Sequence, residues 1–408
     1  MKVAYLLTTY PCRSETFVAR EIFHLRDLGF DVTVLAAAAD GLAESVGPAG
    51  RICYRPPWLS LRALRSLGYL LKRYTRRIPR LLLLVLRLAV SCPREAKSLL
   101  GNVHTIGWFA QCLDNFAIRQ VHACFLSWPA VIGLGLLAVT GCELSLAAHA
   151  RDIYVERGAV RLKVAHARFI VVCSRQGLEQ LKGCMASKYH DKLVLNYHGI
   201  EAGGCPRRPD DAGRDGAGPL VAAVGRLVPK KGFPDLVKAF AEVVRDQPDS
   251  RLIFVGDGPE RTRLCAMIRE MSLEDSVRLT GWQDAGQVRR VLQEAAVLAV
   301  PSVVAADGDR DGIPNVILEA FAAGTPVVAT DLPAIAEVVC PGRTGLLVRP
   351  GDASALSSAL RRLLTDRSLG DYLSRNAREF VVERFNVEGT TQRLAELFLK
   401  TEPCGSRG

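Results

Sequence analysis

Between Pro301 and Thr330 the chain reads PSVVAADGDRDGIPNVILEAFAAGTPVVAT, an acidic loop that runs into a helix and then an apolar strand. Val316, Ile317, Ala320, Phe321 and Ala323 trace one helical face, and Gly324 stops the helix. Pro314 fits the first helical turn, where a missing N–H costs nothing. The backbone amides of Ile313, Asn315 and Val316 are then left to point into the loop. Such a helix start favours anions through its unpaired N–H groups and its dipole. Asp311 stands just before the helix and Glu319 inside it. The chemistry on offer is a phosphate cradle, with amides of Gly312 to Val316, flanked by acids able to hold hydroxyl groups.

Two plainer readings compete. Asp307, Asp309, Asp311 and Gly312 resemble the opening of a calcium-binding EF-hand loop. That loop needs a bidentate Glu at its twelfth place, which falls on Leu318, and Pro314 starts a helix too early. Calcium is rejected. A solvated acidic loop before an ordinary helix remains open on this stretch alone.

A second stretch adds cations. Gly225-Arg226-Leu227-Val228-Pro229-Lys230-Lys231-Gly232 directly follows an apolar strand at Leu220–Val224. Arg226 and Lys231 therefore stand at a strand's carboxyl end, where cations neutralise a diphosphate. Alone, the stretch also reads as a solvated basic turn. Gly256-Asp257-Gly258-Pro259 is a further strand-to-helix turn, informative only for its tight geometry.

The elements that must hold these groups alternate strand and helix. Val3–Thr8 reads as a buried strand, followed by the loop Thr9–Thr16, a helix with Phe17, Ile22, Phe23, Leu25 and Leu28 on its apolar side, and a strand Val32–Leu35. This order implies a parallel sheet with right-handed crossovers. The loop TTYPCRSET lacks G-x-G-x-x-G, which counts against a dinucleotide-binding site. Residues 59–100 read as helical, broken at Pro79. Strands follow at His122–Leu126, Leu144–Ala148, Phe169–Cys173 and Leu193–Tyr197, with helices at Trp128–Val139 and from Ser174.

A second α/β half begins at Leu220. Its strands are placed at Leu220–Val224, Leu252–Val255, Val277–Leu279, Val297–Val300 and Leu346–Val348. Its helices are placed at Pro234–Arg245, Pro259–Met271, Ala285–Leu292, Ala353–Leu364, Leu369–Arg384 and Glu388–Leu399. The expected organisation is a domain over 1–200, a linker rich in Gly, Pro, Arg and Asp over 201–218, a second domain over 219–385, and a helix and tail over 386–408 that packs back on the first domain. The fold class is α/β, with two facing doubly wound parallel-sheet domains. Ligands of such sheets bind at the carboxyl ends of strands, so the cleft between the domains is the expected site.

At 408 residues, 49% of them apolar, the chain is long enough for two buried cores. Its net charge of +11 is uneven: Arg51 to Lys97 carries ten Arg and two Lys against one acid, Glu95. Nucleic acid fits poorly, because the segment has few aromatics and no reading motif. A Leu-rich basic surface lying on anionic lipid fits better. Twelve cysteines, with no C-x-x-C pair and no zinc spacing, read as small buried hydrophobes in a reducing compartment. No apolar run reaches the ~20 residues of a membrane span, and no signal segment is evident. The expectation is a cytoplasmic protein, peripheral on the inner membrane face.

The pairing of GRLVPKKG with DGIPNVILEAFAAGTPVVAT resembles the family-4 retaining glycosyltransferases of the GT-B fold, and the resemblance extends over nearly the whole chain. The family pattern is an acid, seven residues, then Glu, met here by Asp311 and Glu319. Members usually carry Glu at the first place. The resemblance implies a hexosyltransferase in which Arg226 and Lys231 bind the donor diphosphate and Glu319 holds the ribose hydroxyls. It implies that Asp311 and the amides of Gly312, Ile313, Asn315 and Val316 address sugar and phosphate. Thr280-Gly281-Trp282 matches the region that meets the nucleobase.

In the first half, Tyr10 to Leu25 (YPxxSETFxxxEIxxL) and His149-Ala150-Arg151-Asp152-Ile153-Tyr154 resemble the subset that builds exopolysaccharides, including colanic-acid-type enzymes. The matching family histidine lies near the transferring sugar, which makes His149 a catalytic candidate. Its alternative is a core or capping histidine. Ser14, Glu15 and Thr16 are either a helix cap or an acceptor or phosphate contact. The resemblance implies a nucleotide-diphosphate sugar donor, a glycan or lipid-linked acceptor, no metal and no other cofactor. Two other classes stay in view: a GT-B epimerase or phosphorylase, and a non-catalytic membrane-associated assembly factor.

Overall fold

The computed structural model describes residues 1–13, 15–40, 50–201 and 218–400. Ser14 and nearly all of the expected linker, 202–217, lie outside the described residues. The chain divides into two compact units, Met1–Tyr197 with Glu388–Gly408, and His198–Val387.

In the first unit, β1 (Lys2–Thr9), β2 (Asp31–Ala38), β3 (Arg51–Tyr54), β4 (Gln120–Ala123), β5 (Glu143–Ala148), β6 (Ile170–Val172) and β7 (Leu193–Leu195) form a seven-stranded sheet in the order β3-β2-β1-β4-β5-β6-β7. All neighbours pair in parallel. Val3 to Leu7 are buried without interruption, because helices cover both faces of the sheet. One face packs on helices Trp128–Thr140, Val103–Phe116 and Ile78–Ser91 through Leu134, Phe109, Leu84 and Leu88. The other packs on helix Thr16–Asp27, through Val18, Ile22 and Leu25, and on helix Val387–Leu399, through Leu394, Ala395 and Phe398.

The second unit holds β8 (Leu220–Val224), β9 (Arg251–Val255), β10 (Val277–Gly281), β11 (Val297–Val300), β12 (Val327–Thr330) and β13 (Leu346–Val348). Their order is β10-β9-β8-β11-β12-β13, again parallel throughout. In both sheets the strand order turns back between neighbours, at β1/β4 and at β8/β11. A crevice opens at such a switch point, beyond the strand carboxyl ends.

Three expectations need correction. Pro79 does not break the basic helical segment. The breaks are a tight turn at Thr75–Arg77 and the non-helical Cys92, and Pro79 sits in the first turn of helix Ile78–Ser91, where its absent N–H has no partner to lose. Two elements flanking it were not foreseen: β3, on the sheet edge ahead of the helical stretch, and helix Val103–Phe116 after it. Pro314 precedes helix Asn315–Ala323 as its extended N-cap, with φ −66° and ψ 123°, instead of opening its first turn.

Candidate functional site

The functional stretch of the second unit is assembled by its switch point. Because β8 and β11 are paired, the loop after each, 225–232 and 301–314, must leave the sheet side by side. Gly232 lets them approach, and Gly256, which follows β9, lets that strand's end close on the first of the two loops. Gly232 has φ +63°, and a Cβ there would meet the Pro301 carbonyl oxygen at 1.9 Å. Gly256 has φ +141°, and a Cβ there would meet the Gly225 carbonyl oxygen at 2.0 Å. The amide of Val303 then donates to the Lys230 carbonyl at 2.8 Å, tying one loop to the other.

This contact brings Lys231 and Asp311 together. The Lys231 ammonium lies 2.7 Å from Asp311 Oδ2, and the Ser302 hydroxyl donates to the same oxygen at 2.6 Å. Lys230 Nζ reaches Asp309 Oδ1 at 3.1 Å and Asp311 Oδ1 at 3.7 Å. Asp311 is only 8% exposed, as is Lys230. Burial alone would raise the Asp311 pKa, but Lys231, Lys230 and the Ser302 hydroxyl outweigh it and hold the carboxyl below the ordinary aspartate value.

The helix start lies directly behind this pair. Ile317 donates back to the Pro314 carbonyl at 3.0 Å. Among the described residues no backbone carbonyl accepts the amides of Gly312, Ile313, Asn315 or Val316. These are the orphan donors of a helix N-terminus, next to an ammonium group, an arrangement that attracts anionic oxygens. Arg226 stands exposed on the loop that also carries Lys231, and Glu319 is half-buried one turn into the helix.

Asp311 already engages the charge of Lys231, a pairing that the sequence reading did not anticipate. Lys230, Asp309 and Ser302 went unrecognised as part of the arrangement. The available signal was the Lys230-Lys231 doublet, set against aspartates at alternate positions 307, 309 and 311.

In the first unit, His149 follows β5 and occupies the N-cap of the short helix Ala150–Tyr154. Its backbone amide donates to Asp152 Oδ2 at 3.1 Å, and its ring Nδ1 lies 3.8 Å from the same oxygen. The ring packs on Phe125 at 4.5 Å and Phe17 at 5.3 Å between centroids. Its side chain is 14% exposed, while both ring nitrogens are themselves buried. Glu15 is the N-cap of helix Thr16–Asp27 without a side-chain capping bond, and the Thr16 hydroxyl accepts from Arg20 Nη2 at 3.1 Å. Beneath them sits a group that sequence reasoning missed: Tyr5 of β1 donates its hydroxyl to Glu21 Oε1 at 2.7 Å. His122 of β4 lies 5.1 Å from the Tyr5 ring, and burial, with the charge of His149, pushes its pKa down to about 3.

Comparison with known proteins places these units. The family profile described as glycosyl transferases group 1 matches residues 207–380. WcaL of Escherichia coli K12, named as a colanic acid biosynthesis glycosyltransferase, is 30% identical over 432 residues, covering 97% of this chain and 99% of WcaL. AmsK of Erwinia amylovora, named as an amylovoran biosynthesis glycosyltransferase, is 27% identical, covering 97% and 99%. Among solved structures, Anabaena HepE in complex with UDP-glucose superposes with a TM-score of 0.74 at 18% identity, over 98% of this chain and 99% of HepE.

Proposed function

This chain belongs to the group 1 glycosyl transferases, and from that premise we propose that it moves a sugar from a nucleotide-diphosphate sugar to a glycan or lipid-linked acceptor in cell-surface polysaccharide assembly, retaining the anomeric configuration. It is an α/β glycosyltransferase of the GT-B type, built from two Rossmann-like units. The polysaccharide assignment rests on the names of WcaL and AmsK, and the donor class on the UDP-glucose in HepE.

The observation that carries the proposal is the Lys231–Asp311 pair lying against the open amides of Gly312, Ile313, Asn315 and Val316. As the glycosidic bond to the donor breaks, negative charge gathers on the leaving diphosphate. Preorganised donors aimed at that charge lower the barrier, and they act more strongly where water is excluded. Lys231, Arg226 and the helix amides supply them, with Lys231 shared between the phosphate and Asp311. Glu319 holds the ribose hydroxyls, and Asp311 addresses the sugar. His149 takes the role of a contact to the transferring sugar. The anomeric carbon turns electrophilic, the acceptor hydroxyl attacks from the face the diphosphate leaves, and the leaving phosphate takes its proton. Cations and amides carry the charge, so the reaction requires no metal.

The protein acts at the inner membrane face, held there by the Arg51–Lys97 segment. Its helices Leu61–Tyr74 and Ile78–Ser91 bury Leu70, Leu81, Leu84 and Leu88, yet leave Leu61, Leu64, Leu71, Leu82, Leu86 and Val90 exposed among arginines. No helix among the described residues is long and apolar enough to cross a membrane.

The deciding experiment measures thermal stabilisation by a panel of UDP-, GDP- and other sugar nucleotides, in the wild type, Arg226→Ala and Lys231→Ala. Stabilisation of the wild type alone is expected. Equal stabilisation of the variants would reject the donor assignment.

A further inference from the structure

We infer that Lys230 is the cation that Asp311 keeps when the donor diphosphate takes a share of Lys231, a positioning residue that holds Asp311 charged and in place against the sugar. The inference rests on the reading of Asp311 as a sugar contact and Lys231 as a phosphate ligand.

The geometry starts from the turn Pro229–Lys231, a single 3₁₀ turn in which successive side chains stand about 120° apart. The two lysines therefore come at Asp311 from different sides. Lys231 and the Ser302 hydroxyl hold Oδ2, at 2.7 and 2.6 Å, and Lys230 faces Oδ1 at 3.7 Å. Lys230 also donates to Asp309 Oδ1 at 3.1 Å, so one ammonium spans both acids of the loop. Its place is fixed at both ends. The Lys230 carbonyl accepts the Val303 amide at 2.8 Å. Asp309 is set by its own turn, its amide donating to Asp307 Oδ1 at 3.0 Å and its carbonyl accepting from Ala305 at 2.8 Å.

Burial makes the arrangement informative. Lys230 is 8% exposed and Asp309 9%, and a buried ammonium is costly unless carboxylates meet it. A lysine serving only to touch phosphate would stand open, as Arg226 does on the same loop. The charges balance, Lys230 and Lys231 against Asp309 and Asp311. Asp307 and Arg310 on the acidic loop and Glu319 on the helix behind complete the charged surroundings. Burial pushes the Asp311 pKa up, and Lys231, then Lys230, bring it below the ordinary value. A diphosphate adds negative charge beside Asp311 while it takes a share of Lys231. Like charges brought together favour the protonated acid, and a protonated Asp311 loses acceptor capacity for a sugar hydroxyl. Lys230, enclosed between the two acids, opposes that change.

The test uses the full chain and the sugar nucleotide that stabilises the wild type, with water as the acceptor. Released sugar gives kcat and KM across pH, and kcat reports groups in the donor-loaded enzyme. Lys230→Met should lower kcat at pH 7 about tenfold and leave KM for the donor unchanged. It should also move the acid limb of kcat up by about one pH unit. The sign follows from charge: losing a cation raises the Asp311 pKa, so the ionised form disappears at a higher pH. Lys230→Gln, which can still donate to Asp309, should give the same shift and serves where Met weakens the fold. Asp309→Asn alters the same contact but leaves Asp311 its cation, so its acid limb should not rise.

An acid limb at the wild-type position in the Lys230 variants overturns the inference. So does a raised KM with unchanged kcat, the mark of a lysine that only binds donor. A risen limb in Asp309→Asn does the same, because a disturbed loop would then explain the shift. Wild-type kcat in Asp311→Asn, or full donor affinity in Lys231→Ala, is a separate failure, of the reading beneath this one.

Discussion

Replacing Lys231 by Met tests the charged pair at the start of helix Asn315–Ala323 through stability as well as binding. Lys231 Nζ lies 2.7 Å from Asp311 Oδ2, whereas Lys230 Nζ lies 3.7 Å from Oδ1. At an effective dielectric of about 20 these separations correspond to gross attractions of roughly 6 and 4.5 kcal/mol, so the variant removes more than half of the direct charge partnership of Asp311. Stranding one member of a buried pair costs about 3–5 kcal/mol. Lys230 and the Ser302 hydroxyl remain, which brings the expected loss to about 1–3 kcal/mol at pH 7.

The pH dependence has a definite sign. The Asp311 pKa is depressed in the folded protein, so its contribution is present above the unfolded value, about 3.9, and fades as pH falls through the lower folded value. Urea unfolding of wild type and Lys231→Met at pH 7, and again as pH is lowered, should show a gap that narrows only at the acid end. Equal stability at pH 7 would refute the argument, because the 2.7 Å contact would then contribute nothing.

Asp311→Asn should lower turnover by more than it weakens nucleotide binding; steady-state kinetics beside calorimetric titration with the nucleoside diphosphate would separate the two, and an unchanged kcat would exclude a sugar contact. Gly232→Ala should destabilise the second unit by about 1–3 kcal/mol, since its Cβ meets the Pro301 carbonyl at 1.9 Å with φ at +63°; a wild-type melting temperature would contradict the close approach of the two loops. Replacing Arg73, Arg76, Arg77 and Arg80 together by Gln should weaken flotation with vesicles rich in anionic lipid, and undiminished flotation would remove the lipid reading. Treatment with a chelator should leave turnover unchanged, whereas a loss restored by added divalent cation would contradict metal independence.

Most of the strand and helix order was legible because parallel strands buried on both faces are apolar runs, and the helices between them carry one apolar stripe. β11 and β13 fall where the pattern placed them, at Val297–Val300 and Leu346–Val348. Helix Val103–Phe116 was missed because it is buried nearly all round, with His104, Thr105 and Gly107 on faces that periodicity assigns to solvent. Pro79 misled because proline reads as a breaker anywhere, whereas its effect depends on which helical turn it occupies.

The candidate site divides along the same line. Arg226, Lys231, Asp311 and Glu319 were visible because strand-end loops and a helix start leave local marks. The Lys231–Asp311 bond spans eighty residues and exists only because β8 and β11 are neighbours, a fact of sheet order that no local pattern encodes. Glu21 was hidden for a related reason. On a helix face it looks like one more polar residue, and only the Tyr5 hydroxyl across the layer shows that it points inward.

The most direct test of the account is a crystal structure with a bound nucleoside diphosphate. The diphosphate oxygens should lie about 3 Å from Lys231 Nζ and from amides between Gly312 and Val316, with Arg226 turned toward them. A diphosphate bound elsewhere, with the helix start untouched and Lys231 still closed on Asp311, would contradict the proposal.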